Sequence, residues 1–291
     1  MVNYYGGKGN IPHKIFKNFK LQGIRNYVEP FSGMFRVYLD RRNDFSNVEN
    51  IIYNDIYVPN CNIFQCAKMP YFFLKAIRYA LHDEDGFLYY RKYKHYPDAY
   101  VKFEEIYQDY KHGRRTLPEV SLSERNFEAA VIYSFLRATA YNGFYFTDVS
   151  FRTGLFQDTW DLRFKILQTL WNNLSNIQKI EKVARISEIT ADDFEVVMER
   201  YNSEDTFIYI DAPYIDREHY YDFEGKGVFT EKDHARLAKA VHKSKAKIAI
   251  SYYDSDVLHD YYPKPDFKWI EIPTRNNAKG EDAIEQLIIR Y

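Results

Sequence analysis

The sequence predicts an α/β fold, a doubly wound and mostly parallel sheet whose strands are separated by one long, largely helical insertion. Three observations carry that expectation. Compact apolar runs such as Asn50-Ile51-Ile52-Tyr53-Asn54-Asp55 end in an acid, as buried parallel strands do where they emerge at their carboxyl ends. Helical periodicities alternate with those runs, the arrangement that covers both faces of one sheet. Between about residue 58 and residue 200 the strand signals fade and long helical patterns take over, as in Phe127-Glu128-Ala129-Ala130-Val131-Ile132-Tyr133-Ser134-Phe135-Leu136.

In chain order, Ile11, Ile15, Phe16 and Phe19 fall at helical spacing, with Pro12 in a first turn where proline is tolerated. Arg25-Asn26-Tyr27-Val28-Glu29-Pro30-Phe31 reads as a strand ending in a loop at Ser32-Gly33, and Val37-Tyr38-Leu39 opens a helical segment. After the insertion, strands are expected at Thr206-Phe207-Ile208-Tyr209-Ile210, at Ala246 to Ser251 and at Ala283 to Arg290. Thr230 and Asp233 precede Ala235, Leu237, Ala238 and Val241, which marks a capped amphipathic helix between two of these strands. No internal repeat or low-complexity tract interrupts this order.

A chain of 291 residues suffices for one large α/β domain, or for a catalytic domain carrying a smaller inserted one. With 46% hydrophobic and 28% charged residues the composition is that of a folded globular protein. The 28 Tyr and 22 Phe serve mostly as packing surface, although a tyrosine also offers a hydroxyl and a stacking face. A formal net charge of -1 announces no polyanion partner, so any basic binding face must be local. Cys61 and Cys66 stand without companions at zinc-ligand spacing, which supports neither a disulfide framework nor a structural metal and suits a reducing cytoplasm. Met1 to Lys8 contains no apolar core of a signal sequence, and no apolar stretch approaches the roughly 18 residues of a membrane span.

In open α/β sheets, ligands bind outside the carboxyl ends of the strands, where strand order reverses. The loops competing for that position are Pro30 to Arg36, Asp55, and Asp211 to Tyr214. Gly33 permits close backbone approach to a ligand, and the acid Asp55 is placed to hold a ribose hydroxyl. Asp211-Ala212-Pro213-Tyr214 combines a carboxylate, a main-chain carbonyl and a planar ring. That set suits an amine conjugated to an aromatic ring: two acceptors on its N–H bonds localise the lone pair and aim it, while the ring stacks. In isolation the same four residues also make an ordinary turn.

In their order, these elements resemble the Dam-type DNA adenine-N6 methyltransferases, the α group that depends on S-adenosylmethionine. The matching stretches are Tyr4-Tyr5-Gly6-Gly7-Lys8, Val28-Glu29-Pro30-Phe31-Ser32-Gly33, Ile52-Tyr53-Asn54-Asp55, Tyr141-Asn142-Gly143, Phe207 to Tyr214, and Ile250-Ser251-Tyr252-Tyr253-Asp254. The resemblance implies a Rossmann-like methyltransferase sheet, with a catalytic S-adenosylmethionine-binding domain over 1–57 and 201–291. A mostly helical insertion over 58–200 then includes the DNA target-recognition region.

It further implies cofactor contacts from Tyr4, Gly7, Lys8, Glu29, Phe31, Gly33, Asp55 and Asp211, and catalysis by Asp211, Ala212, Pro213 and Tyr214 on a flipped adenine. Tyr141 and Asn142 open the DNA-contacting segment, no metal is needed, and the partner is double-stranded DNA. Arg91-Lys92-Tyr93-Lys94-His95 and Lys111-His112-Gly113-Arg114-Arg115 are candidate phosphate contacts, with Lys111, Arg114 and Arg115 foremost. These clusters also fit solvated helix faces, Lys8 a solvated lysine and Tyr141 a core aromatic. The implied setting is the cytoplasm of a prokaryote, with a protein partner or homodimer left open. Other readings are a methyltransferase-fold protein impaired in catalysis that binds DNA or a partner, and a methyltransferase acting on RNA, cytosine N4 or a protein glutamine.

This chain departs from the family pattern after Gly33, where Met34, Phe35 and Arg36 replace a small residue, a glycine and a serine. Ala212 replaces the first proline of the catalytic loop, which costs rigidity but keeps the main-chain carbonyl. Phe144-Tyr145-Phe146-Thr147 lacks the arginine that follows the Asn-Gly pair in enzymes reading GATC, so that target is not expected. Arg36 is a candidate partner for the methionine carboxylate or for Glu29. If the former holds, Arg36→Ala weakens S-adenosylmethionine binding about tenfold in a calorimetric titration, as loss of a charge-assisted hydrogen bond should; unchanged affinity rules the pairing out.

Overall fold

The computed structural model describes residues 11–82, 105–139, 177–216, 218, 229–276 and 281–291. The expected roles of Tyr4, Gly7, Lys8, Tyr141 and Asn142, and the cluster Arg91 to His95, lie outside the described residues. The chain divides into two compact units, one comprising Met1–Tyr5 and Val58–Ala184, the other Gly6–Tyr57 and Arg185–Tyr291.

The second unit is built on a sheet of seven strands among the described residues: β1 (Asn26–Glu29), β2 (Asn50–Asn54), β3 (Ile186–Thr190), β4 (Thr206–Ile210), β5 (Lys247–Tyr252), β6 (Lys268–Asn276) and β7 (Glu281–Arg290). Their spatial order is β3-β2-β1-β4-β5-β7-β6. The first five are parallel, and β7 and β6 close the far edge antiparallel. This is the mixed α/β, mostly parallel sheet that the sequence predicts. Strand order runs outward from β1 through β2 to β3, then resumes on the other side of β1 with β4 and β5. The reversal therefore lies between β1 and β4, where the Pro30 to Arg36 loop and the Asp211 loop emerge.

Helices of this unit, numbered along the whole chain, are α1 (Pro12–Phe16), α2 (Arg36–Leu39), α7 (Phe194–Arg200), α8 (Glu231–Lys243) and α9 (Asp256–Tyr261). Thr230 and Asp233 form the expected capping box at the start of α8. The alternation of strand side chains divides the unit into two layers of different chemistry. Val28, Ile52, Ile208, Ile210, Ile248 and Ile250 share one core with Val197 and Met198 of α7 and with Leu237, Ala238 and Val241 of α8. The residues of opposite parity meet aromatic partners instead. Phe207 lies 4.6 Å from Phe19, Tyr27 lies 4.6 Å from Phe45, and Tyr53 lies 5.3 Å from Phe35, measured between ring centroids. Much of the tyrosine and phenylalanine content is thus core surface.

Two strands are not anticipated by the sequence, and both sit at the sheet's edges. β3 lies within the stretch that reads as helical because Ile186-Ser187-Glu188-Ile189-Thr190 has only Ile186 fully buried. An edge strand covered on one face needs no continuous apolar run. β6 contains Pro273 and Glu271, both exposed; proline lacks the ladder donor and is tolerated at an edge. β3 and α7 belong to the sheet-bearing unit, which resumes at Arg185. There the Arg185 guanidinium donates to the carbonyls of Phe45 and Val48, at 2.9 and 2.8 Å.

The other unit contains α3 (Val58–Ala67), α4 (Pro70–His82), α5 (Phe127–Thr139) and α6 (Ile177–Ala184), with a further helical stretch over 105–111. Asn126 caps α5, accepting from the Ala129 N–H at 2.9 Å, while its own backbone exchanges two hydrogen bonds with the Asn62 amide. Cys61 and Cys66 are free and buried, and burial pushes the Cys66 thiol up to about 12. Among the described residues, no helix is long and apolar enough to cross a membrane.

At the carboxyl edge of the sheet, Asn54 is 1% exposed and uses both ends of its amide. Nδ2 donates to the carbonyls of Pro30 and Asp192, at 2.8 and 3.0 Å, and Oδ1 accepts from Thr190 Oγ1 and the Asp192 N–H, at 2.7 and 2.9 Å. Removing it strands a buried carbonyl at Pro30 and half-buried polar groups at Thr190 and Asp192. Asn54→Ala is expected to destabilise the protein by about 3 kcal/mol in denaturant unfolding, several times the worth of one net hydrogen bond.

Candidate active site

Glu29, Asp55 and Asp211 follow or end adjacent strands, β1, β2 and β4, so three carboxylates gather at one stretch of the carboxyl edge. Each is held differently. Glu29 is 2% exposed and accepts the Tyr27 hydroxyl at 2.5 Å. Burial and this acidic neighbour hold the Tyr27 phenol protonated, its pKa raised well above the ordinary value. Asp55 receives the N–H of Gly33 on one oxygen and that of Tyr57 on the other, both at 2.8 Å. Asp211 is half-buried, and Tyr214 Oη lies 3.3 Å from its Oδ1.

The loop after β1 is fixed from several directions. Ser32 Oγ donates to the Glu29 carbonyl at 2.7 Å, the Ser32 N–H donates to the Asn54 carbonyl at 2.8 Å, and Tyr53 Oη donates to the Gly33 carbonyl at 2.7 Å. Gly33 has φ 49 and Phe35 φ 52, both in the left-handed region. For Gly33 this conformation is free of steric cost, whereas for Phe35 it costs about 1–2 kcal/mol. Phe35 accordingly keeps the backbone course that a glycine would give, at the position where the resembled family carries one. Its ring is fully buried, 4.7 Å from Tyr38 and in edge contact with Tyr53. Packing supplies what the backbone conformation costs. Arg36 begins α2, and desolvation lowers its pKa, opposed by Asp40.

Phe31 remains half-buried, 5.3 Å from Phe194 and edge-on to Phe229 at 5.7 Å. In the Asp211 loop, Ala212 is 1% and Tyr214 6% exposed, while Pro213 is half-buried. The Tyr214 ring meets Tyr252 at 5.6 Å and Tyr253 edge-on at 5.0 Å. Tyr252 and Tyr253, visible in the sequence only as part of a motif at the end of a strand, thus form the wall of this loop. His234 was not singled out by any sequence pattern, yet it is a buried member of the same neighbourhood.

Lys111, Arg114 and Arg115 belong to the helical unit, not to the sheet-bearing one. Asp109 pairs with both arginines, at 2.8 Å from Arg114 and 3.3 Å from Arg115, and Arg114 above all holds its carboxyl below the usual range. Lys111 is half-buried at the end of the 105–111 helical stretch. The local charge of this cluster is therefore smaller than its basic residues alone suggest. Among the described residues, no group of three or more His, Cys, Asp or Glu side chains is arranged to hold a metal ion.

Fold and site together define an α/β protein with three carboxylates at its strand-order reversal. A family model for D12 class N6 adenine-specific DNA methyltransferases matches residues 4–277, so the chain belongs to that family, whose chemistry is adenine methylation on DNA. No curated protein matches the chain.

The opposed energies at Phe35 give a measurable outcome. Phe35→Gly relieves about 1–2 kcal/mol of backbone strain but deletes a buried ring worth about 3–5 kcal/mol. A net loss of about 2–3 kcal/mol in unfolding free energy is expected; a stabilised variant would show the ring contributes less than the strain it imposes.

Proposed function

We propose that this protein transfers a methyl group from S-adenosylmethionine to N6 of an adenine extruded from double-stranded DNA, with Asp211-Ala212-Pro213-Tyr214 as its catalytic loop. The observation that carries the reading is the half-buried Asp211 carboxylate at the carboxyl end of β4, beside the reversal of strand order. The chemistry of the neighbouring residues fits the donor. Its ammonium and sulfonium charges and ribose hydroxyls complement Glu29, Asp55 and Asp211 at successive strand ends, and Gly33 provides backbone without a Cβ for close approach. Bound there, S-adenosylmethionine supplies an electrophilic methyl group.

In this reading Asp211 accepts one N–H of the adenine amine and a main-chain carbonyl of the loop accepts the other. This localises a lone pair otherwise delocalised into the ring, a matter of positioning and electrostatic preorganisation. Burial of Ala212 and Tyr214 favours a defined loop despite the missing first proline. Tyr214 stacks on the base, beside the Tyr253 ring that it meets in a T-shaped contact. Asp55, at the end of the neighbouring strand, accepts ribose hydroxyls, and Phe31 contributes apolar surface. Tyr4, Gly7 and Lys8 toward the cofactor, and Tyr141 and Asn142 toward DNA, rest on the motif resemblance alone. Arg114 and Arg115 contact phosphate only by sharing or leaving Asp109.

The left-handed backbone at Phe35, which glycine reaches without steric cost, supports a functional donor loop over a fold kept only for binding. The test is incubation of the protein with unmethylated genomic DNA and labelled S-adenosylmethionine, followed by nucleoside mass spectrometry. Wild type should form N6-methyladenine, and Asp211→Ala should reduce its rate about 10³-fold, as loss of a preorganised group at the reacting atom does. Methylcytosine, or label in RNA or protein alone, would replace this assignment; neither transfer nor cofactor binding would end it.

A further inference from the structure

His234 lies in the first turn of α8 and is 3% exposed, with both ring nitrogens engaged. Nδ1 is 3.0 Å from Tyr252 Oη, and Nε2 is 3.0 Å from Glu218 Oε1. The proton positions follow from the partners. An ionised Glu218 carboxylate only accepts, so Nε2 carries the hydrogen, and in the neutral ring Nδ1 accepts from the Tyr252 hydroxyl. Burial favours this state of both rings, lowering the His234 pKa and raising that of Tyr252.

The string connects parts of the fold that bear on Asp211. Tyr252 ends β5 and packs its ring 5.6 Å from that of Tyr214. Glu218 stands four residues beyond Tyr214 on the chain leaving the catalytic loop. Phe229, two residues before the start of α8, makes a T-shaped ring contact with His234 at 4.8 Å. Phe229 also packs 5.7 Å from Phe31 in the loop after β1. One buried imidazole therefore touches both limbs of the segment following the catalytic loop and bonds the tyrosine that backs its stacking ring.

We propose that His234 is a positioning residue for the catalytic loop, anchoring its outgoing limb through Glu218 and the wall behind Tyr214 through Tyr252. The inference rests on the reading of Asp211 to Tyr214 as the catalytic loop. A histidine that merely satisfies the core contributes to stability without setting turnover. A positioning residue instead changes the rate of molecules that are folded and hold cofactor, because small displacements at a reacting group are costly.

The experiment uses the full chain and the variants His234→Ala, Glu218→Ala, their combination, and Tyr252→Phe. Methyl transfer to unmethylated genomic DNA is measured at saturating DNA and S-adenosylmethionine. Turnover is expressed per cofactor-binding molecule, counted by calorimetric stoichiometry, so unfolded protein does not enter. His234→Ala and Glu218→Ala should each lower this turnover about tenfold while cofactor affinity stays within about twofold. The double variant should fall no further than the worse single one, because both changes break the same string. Should His234→Ala fail to fold, Glu218→Ala, at a partly exposed side chain, and Tyr252→Phe decide by the same turnover criterion. Variant turnover within about twofold of wild type, or effects that multiply in the double variant, overturns the proposal. An active wild type with unaffected variants refutes the positioning role alone, whereas a wild type that transfers no methyl to adenine refutes the catalytic reading and this inference with it.

Discussion

The amide of Asn54 joins chain segments far apart in sequence: its own strand β2, the loop that begins at Pro30, and the turn from Thr190 to Asp192. Both of its polar atoms are used twice in a site withdrawn from water, where an unmade hydrogen bond costs more than a made one contributes. The next residue, Asp55, continues the same task by binding the Gly33 and Tyr57 N–H groups. Two side chains at the end of β2 thus join Ser32 and Tyr53 in holding the loop after β1. Glu29, Asp55 and Asp211 stand along one edge because β2, β1 and β4 are neighbours, and this restraint holds the loop between the first two.

Phe35 shows how a bulky residue can occupy a backbone conformation that suits glycine. A left-handed φ is unfavourable for a residue with a Cβ, but burial of the ring among Tyr38 and Tyr53 outweighs the strain. The aromatic layer on that face of the sheet makes such compensation available. On the opposite face the branched aliphatics of β1, β2, β4 and β5 meet α7 and α8, and α8 brings His234 to the end of β5. The two faces therefore support the strand-end loops in different ways, one through the loop after β1 and the other through the loop carrying Asp211.

Charge also behaves locally. The chain's net charge of -1 conceals an acidic strand edge and basic clusters elsewhere. Arg236 illustrates the structural use of charge: it bonds Asp193, Glu195 and Asp233 while lying 4.9 Å over the Phe194 ring, joining α8 to the start of α7. Arg114 and Arg115 are similarly engaged by Asp109. Counting basic residues along a sequence cannot distinguish these paired groups from groups available to phosphate.

The central strands and the loops at their ends were determined by the sequence itself, because burial on both faces demands uninterrupted apolar runs and the acids that end them stand out. Thr206 to Ile210 followed by Asp211 is the plainest case. The motif order likewise marked the family, since short chemical requirements recur at fixed places along the chain. What only tertiary structure decided were the edges and the support. β3 and β6 are half-covered and lack such runs, the tolerance of Phe35 depends on rings from other elements, and the role of Asn54 depends on carbonyls 24 and 138 residues away. His234 joins Tyr252, 18 residues ahead, to Glu218, 16 residues behind. Those contacts arise when strands and helices from separated parts of the chain close on one another, and no local pattern encodes them.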